Sequence, residues 1–134
     1  MLRGISTISF YADDLVAARR WYVDLLGLEP YFEIPGYFEF RLGDYQHELG
    51  FIDARYAAHP VSPPAGATVF WHVDDLAGSF ERLLALGATQ HEPVTERGHG
   101  FVTASVVDPF GNILGIMTNP HYLEILAGRP PVGP

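Results

Sequence analysis

The strongest chemistry in this sequence rests on two side chains in strand-like runs: Glu48, within His47-Glu48-Leu49, and His72, within Val69-Phe70-Trp71-His72-Val73. A carboxylate and an imidazole can trade protons near neutral pH, so a fold that brings them together makes an acid–base pair. Each also has a plainer reading. Glu48 can serve as a general base or hold a ligand cation, or it can be a carboxylate satisfied by a nearby Arg or Tyr, because buried charge needs a partner. His72 can move protons, or it can be a core histidine hydrogen-bonded to backbone.

Other titratable residues carry weaker signals. Asp13-Asp14 and Asp74-Asp75 look like paired carboxylates, yet both stand where a strand-like run gives way to helical spacing, which is where a helix is capped. His47 alternates away from Glu48 on an ideal strand, so the two do not grip one ion. His99, between Gly98 and Gly100, reads as a solvent-exposed turn, and His121 with Glu124 as one face of a packing helix. The chain has no cysteine, which removes disulfides, thiolate nucleophiles and sulfur-ligated zinc together. Any metal must be held by His and carboxylate.

Composition narrows the partners. Sixteen acidic residues against eight basic ones give a net charge of -8, and the cationic residues form no cluster that could neutralise several phosphates. Nucleic acid is not expected. No apolar run approaches the roughly 18 residues of a membrane span, and the start lacks the build of a secretion signal. A cytoplasmic protein with no membrane contact is the expectation. The 134 residues suffice for one domain that buries roughly two-thirds of its unfolded surface.

The elements that must position Glu48 and His72 are legible because the chain matches itself. Ile8-Ser9-Phe10-Tyr11-Ala12-Asp13-Asp14-Leu15 leads to Leu25-Leu26-Gly27, and Val69-Phe70-Trp71-His72-Val73-Asp74-Asp75-Leu76 leads to Ala85-Leu86-Gly87. Asp14 and Asp75 stand 61 positions apart, Gly27 and Gly87 60, so the copies drift by one residue. In each, β-branched and aromatic residues favour a strand, an Asp caps a helix with apolar residues at helical spacing, and a Gly ends it. Strand candidates follow at Pro30 to Ile34, Tyr37 to Leu42 and Tyr45 to Ile52, then at Thr89 to Val94, Phe101 to Val107 and Ile113 to Thr118. The unit is βαβββ, twice: module one at 4–55, a Pro- and Gly-rich linker at 56–66, module two at 67–118, and a C-terminal segment at 119–134. The fold class is α+β.

With these residues in place, the sequence resembles the vicinal oxygen chelate superfamily, which includes glyoxalase I, bleomycin-resistance proteins and extradiol dioxygenases. The resemblance spans about Ile5 to Met117, and its most specific pieces are the two Asp-Asp-Leu helix starts and the Asp108-Pro109-Phe110-Gly111-Asn112 turn. It implies two βαβββ modules forming a half-open curved barrel around a cavity, commonly in a homodimer. In metal-using members the ligands come from the first and last strands of each module. Those positions match Thr7, Glu48, Thr68 and Gly115 here, and Glu48 alone is a good ligand.

If Thr7 and Thr68 face the cavity, strand alternation sends Ser9, Tyr11, Gln46, Glu48, Phe70, His72, Ile113, Gly115 and Met117 the same way. The ligand-binding set expected from the resemblance is thus Thr7, Ser9, Tyr11, Gln46, Thr68, Phe70, Gly115 and Met117, with Glu48 and His72 as the catalytic candidates. Such a wall suits a small, partly aromatic molecule. The first expectation is a metal-free binding protein without cofactor. The alternative is a lyase or isomerase of this superfamily, using one divalent ion on Glu48 and His72 or moving protons through them directly. A third reading is an interaction module. A homodimer fits all three.

Overall fold

A strand-to-helix switch opens each copy, and the computed structural model, which describes Met1, Arg3 and residues 5–57 and 68–129, shows how an aspartate sets it. Asp14 accepts the Ala17 backbone N–H at 3.0 Å and Asp75 accepts that of Gly78 at 3.1 Å, satisfying amides that the first turn leaves without a partner. The first helix stops where Gly27 enters the left-handed region at φ 66°, which costs glycine little.

By contact the chain divides into two units, each holding one four-stranded sheet. Unit 1 comprises 1–65 together with Asp108–Asn112, and unit 2 comprises 66–107 and 113–134. In unit 1, β1 (Thr7–Ala12) leads to α1 (Leu15–Leu26), then β2 (Phe32–Ile34), β3 (Tyr37–Leu42) and β4 (His47–Asp53), in the sheet order β1-β4-β3-β2. In unit 2, β5 (Phe70–His72), α2 (Leu76–Ala85), β6 (Thr89–Gly98), β7 (Phe101–Val107) and β8 (Ile113–Thr118) repeat the plan as β5-β8-β7-β6, and α3 (Pro120–Ala127) follows. First and last strands pair in parallel, the others antiparallel. This is the α+β fold of two βαβββ modules read from the repeat. The linker from residue 58 and the tail from residue 130 lie outside the described residues.

Alternation gives each sheet a helix side. Phe10, Ala12, Phe38, Phe40, Leu49 and Phe51 are buried with Ala18 and Tyr22 of α1, and the rings pack at centroid distances of 4.4 Å for Tyr22–Phe51 and 4.8 Å for Phe38–Phe51. In unit 2 the buried set is smaller in its side chains: Leu76, Leu83, Ala88, Ala104, Val106, Leu114 and Ile116. The opposite face is largely exposed along Thr7, Ser9 and Arg41 in unit 1, whereas in unit 2 Phe70 is exposed and Thr103, Ser105 and Gly115 are buried.

Of the boundaries that differ from the sequence reading, two have visible local causes. β4 begins at His47 because Gln46 sits in the preceding turn with φ 53°. β6 continues to Gly98, four residues past the expected end, and slips register three times against β7.

Candidate functional site

On unit 1 the open face is written by the ladder. Thr7 pairs with Glu48 and Ser9 with Gly50, while Arg41 and Glu39 stand opposite them on β3. Thr7 Oγ1 donates to Glu48 Oε2 at 3.2 Å, and the Arg41 guanidinium lies 3.9 Å from Glu48 Oε1 and 3.8 Å above the Tyr31 ring. The carboxylate is about a third exposed. Its hydrogen bond comes from Thr7, the guanidinium standing beyond hydrogen-bond distance, and it remains open to solvent.

Tyr37 crosses this face. Its hydroxyl donates to Glu39 at 2.7 Å, and a Cβ on Gly50 would stand 2.8 Å from its ring, so only glycine lets the ring lie there. The phenol is pushed up to about 12, first by burial, then by the hydrogen bond to Glu39 and the charges of Glu39 and Glu48. Ser9 is exposed and Tyr11 half-buried beside it. Gln46 does not share the alternation: in its turn the side-chain amide donates to the Gly43 carbonyl at 3.3 Å.

The Asp108–Asn112 turn belongs to unit 1 and secures β1 from its edge. Asp108 Oδ2 accepts the buried Tyr22 hydroxyl at 2.7 Å, and Oδ1 accepts the Phe110 and Asn112 amides at 2.9 and 2.8 Å. Asn112 in turn accepts the Tyr11 N–H and donates to the Tyr11 carbonyl, as a neighbouring strand would. Burial raises both the Tyr22 and Asp108 pKa values; the proximity of Asp108 raises Tyr22 further, whereas the hydrogen bonds to Asp108 oppose its own rise.

Unit 2 treats its open face differently. His72 is half-buried with its Nε2 covered: Nδ1 accepts the Asn119 N–H at 3.2 Å, the ring stacks on Tyr122 of α3 at 4.7 Å, and Nε2 lies 3.5 Å from Asp74 Oδ1 without a hydrogen bond. Thr68 precedes β5, Phe70 pairs with Gly115, and Met117 pairs with His72. Phe70 lies over Gly115, where a Cβ would meet its ring at 2.7 Å.

The family resemblance set Gly115 in the place of Glu48. The ladders set it against Gly50, since Ser9 and Phe70 are 61 positions apart and pair with Gly50 and Gly115 respectively. Sequence reasoning also passed over Arg41, Tyr37, His91, Ser105, Arg97 and Thr103. The signal for Arg41 and Tyr37 was the same alternation, applied to β3.

A divalent ion requires three or four donors converging on one point. Among the described residues no group of three His, Asp or Glu side chains can hold one. Glu48 is engaged by Thr7 and Arg41, and its ladder partner offers only a hydroxyl. The residues present do not fit a metal of the kind the fold family uses.

Comparison with known families places this architecture. Residues 4–116 match the Glyoxalase/Bleomycin resistance protein/Dioxygenase superfamily model, and the chain belongs to that superfamily. Among solved structures it is similar to a glyoxalase-related enzyme from Fulvimarina pelagi, 25% identical with a TM-score of 0.73, covering 89% of this chain and 90% of the other. It shares its fold with a lactoylglutathione lyase from Agrobacterium tumefaciens, at 24% identity, TM-score 0.69, and coverage of 91% and 98%. A superfamily member from Sphaerobacter thermophilus matches at 17% identity, TM-score 0.72, and coverage of 88% and 98%. No curated protein matches the chain. Among the described residues no helix is long and apolar enough to cross a membrane.

Proposed function

We propose that this protein binds a small, partly apolar or aromatic organic molecule on its open sheet faces, without a metal ion. The observation that carries the reading is the unit 1 face opposite α1, where the Tyr37 ring lies over Gly50, the next same-face position from the Thr7–Glu48–Arg41 row. Apolar surface supplies affinity there, and the few polar groups fix orientation. Thr7, Ser9 and Tyr11 are the contacts, with Phe70, Gly115 and Met117 lining the unit 2 face. His72 has a structural part, since Nδ1 is occupied by Asn119 and Nε2 is buried. Screening aromatic fragments against the 15N-labelled full chain is expected to shift the Thr7, Ser9 and Tyr11 amides, and elemental analysis to find far less than one metal per chain. About one Mn, Fe, Ni or Zn per chain would sink the reading.

A second reading has its own support in Arg41. A carboxylate held beside a guanidinium can take a proton from a substrate while the cation steadies the negative charge that develops, which is lyase or isomerase chemistry without a metal. Glu48→Gln is then expected to abolish turnover of an identified substrate, and unchanged turnover refutes it. A homodimer accompanies either reading, because β2 ends the unit 1 sheet with three exposed residues and a free edge favours association.

A further inference from the structure

Of the three residues that β6 has in excess over β7, two land on buried hydroxyls. Gln90 pairs with Val106 and Glu92 with Ser105, leaving His91 as the extra residue of one bulge. Glu96 pairs with Val102 and Gly98 with Phe101, leaving Arg97 as the extra residue of another. A bulge re-aims a side chain that a regular ladder would fix by alternation. Here His91 Nδ1 lies 3.0 Å from Ser105 Oγ, and Arg97 Nε donates to Thr103 Oγ1 at 3.0 Å. Ser105 is 1% and Thr103 9% exposed, whereas both His91 and Arg97 are exposed. Each side chain is thus tied through one nitrogen to a buried hydroxyl, and Arg97 Nη2 also reaches Glu92 Oε2 at 3.3 Å.

These hydroxyls stand on the face opposite α2. Ser105 pairs with Gly115, which pairs with Phe70, and Thr103 pairs with Met117, which pairs with His72. Phe70 keeps 38% of its surface and its ring edge lies over Gly115, so one row of the sheet runs from an apolar ring to the hydroxyl that meets an imidazole. A guanidinium has five N–H donors in a planar fork suited to a carboxylate, and Thr103 and Glu92 account for two on Arg97. The Glu92 pair is about half exposed at 3.3 Å, of the kind worth roughly 0–1 kcal/mol, so it yields to a better-placed anion. In the neutral tautomer in which Ser105 donates to Nδ1, His91 carries its proton on Nε2 and adds another donor.

We infer that the open face of unit 2 is an anion-binding site for a small organic carboxylate, with Arg97 and His91 holding the carboxylate and Phe70 supporting its planar apolar part. Thr103 and Ser105 act as positioning residues. The inference deepens the ligand-binding reading above and rests on it. Benzoate and its neutral counterpart benzamide, titrated into the 15N-labelled full chain, separate the two. Benzoate is expected to shift the amides around Arg97, Thr103 and Phe70 and to bind roughly tenfold more tightly than benzamide, as charge-assisted hydrogen bonds require. Arg97→Gln is expected to erase that preference while leaving benzamide binding intact, and Thr103→Val, which keeps shape and removes the tether, to reduce it about threefold. Equal binding of both probes at this face, or a preference that survives Arg97→Gln, overturns the anion site alone. No shift from either probe overturns the ligand-binding reading as well.

Discussion

At the same step of the two ladders, unit 1 sets Ser9 against Gly50 and unit 2 sets Phe70 against Gly115, and each glycine lies under an aromatic ring. The rings come from different strands. Tyr37 reaches Gly50 from β3, whereas Phe70 reaches Gly115 from β5. Polar chemistry has moved in the same sense: unit 1 keeps it on β1, β4 and β3 as Thr7, Glu48 and Arg41, and unit 2 keeps it on β7 and β6 as Thr103, Ser105, Arg97 and His91. The helix sides, by contrast, keep the capping aspartates and a buried apolar face in both units, with aromatic rings in unit 1 and smaller aliphatic side chains in unit 2. Folding depends on the buried side and on the caps, so duplication preserves them, while the open faces are free to diverge and carry function.

The buried sides offer the sharpest break in this comparison. Phe51 packs against Phe10, Tyr22, Phe38 and Phe40, and Phe51→Ala is expected to cost about 3–5 kcal/mol in urea unfolding. Leu83→Ala in unit 2 should cost about 2–4 kcal/mol, and a larger loss in unit 2 than in unit 1 contradicts the aromatic core assigned here. Next in size is the turn that unit 1 takes from between β7 and β8. Asp108→Ala leaves the Tyr22 hydroxyl and two amides without an acceptor and should cost about 2–3 kcal/mol.

Alkaline pH separates the units by another route. Tyr22 and Tyr37 both have pKa values raised in the folded protein, Tyr37 to about 12. The stability they contribute is therefore complete below about pH 10, the unfolded tyrosine value, and is lost as pH rises through the folded values. Absorbance titration should show a tyrosine step near pH 12 that disappears in Tyr37→Phe; a step that persists removes the Tyr37–Glu39 interaction from the account. Asp108 runs in the same direction at acid pH, its contribution falling as pH rises through its raised value. The smallest effect is expected at the hairpin tips. Gln46 and His99 hold φ of 53° and 52°, which asparagine tolerates better, so Gln46→Asn and His99→Asn should each gain about 0.5 kcal/mol in thermal melts.

Much of this was legible in the sequence because it rests on local rules. Asp14 and Asp75 cap as their positions required, and the alternation that placed Thr7, Ser9, Tyr11 and Glu48 on one face follows the ladder of β1 and β4. The rule stopped at Gln46, where a left-handed residue ends the strand. It could not show the partners of His72, because Asn119 and Tyr122 lie far along the chain. Nor could it show Arg97 and His91 over their hydroxyls, since bulges depend on how two strands pair and leave no periodic trace in either.

Native mass spectrometry of freshly purified full-length protein tests the central claim most directly, because it weighs metal and organic ligand on the same particle. The account predicts a species carrying a small organic molecule, or accepting one such as benzoate when added, with no metal ion in stoichiometric amount. A population carrying one divalent ion per chain and retaining no organic molecule would contradict it.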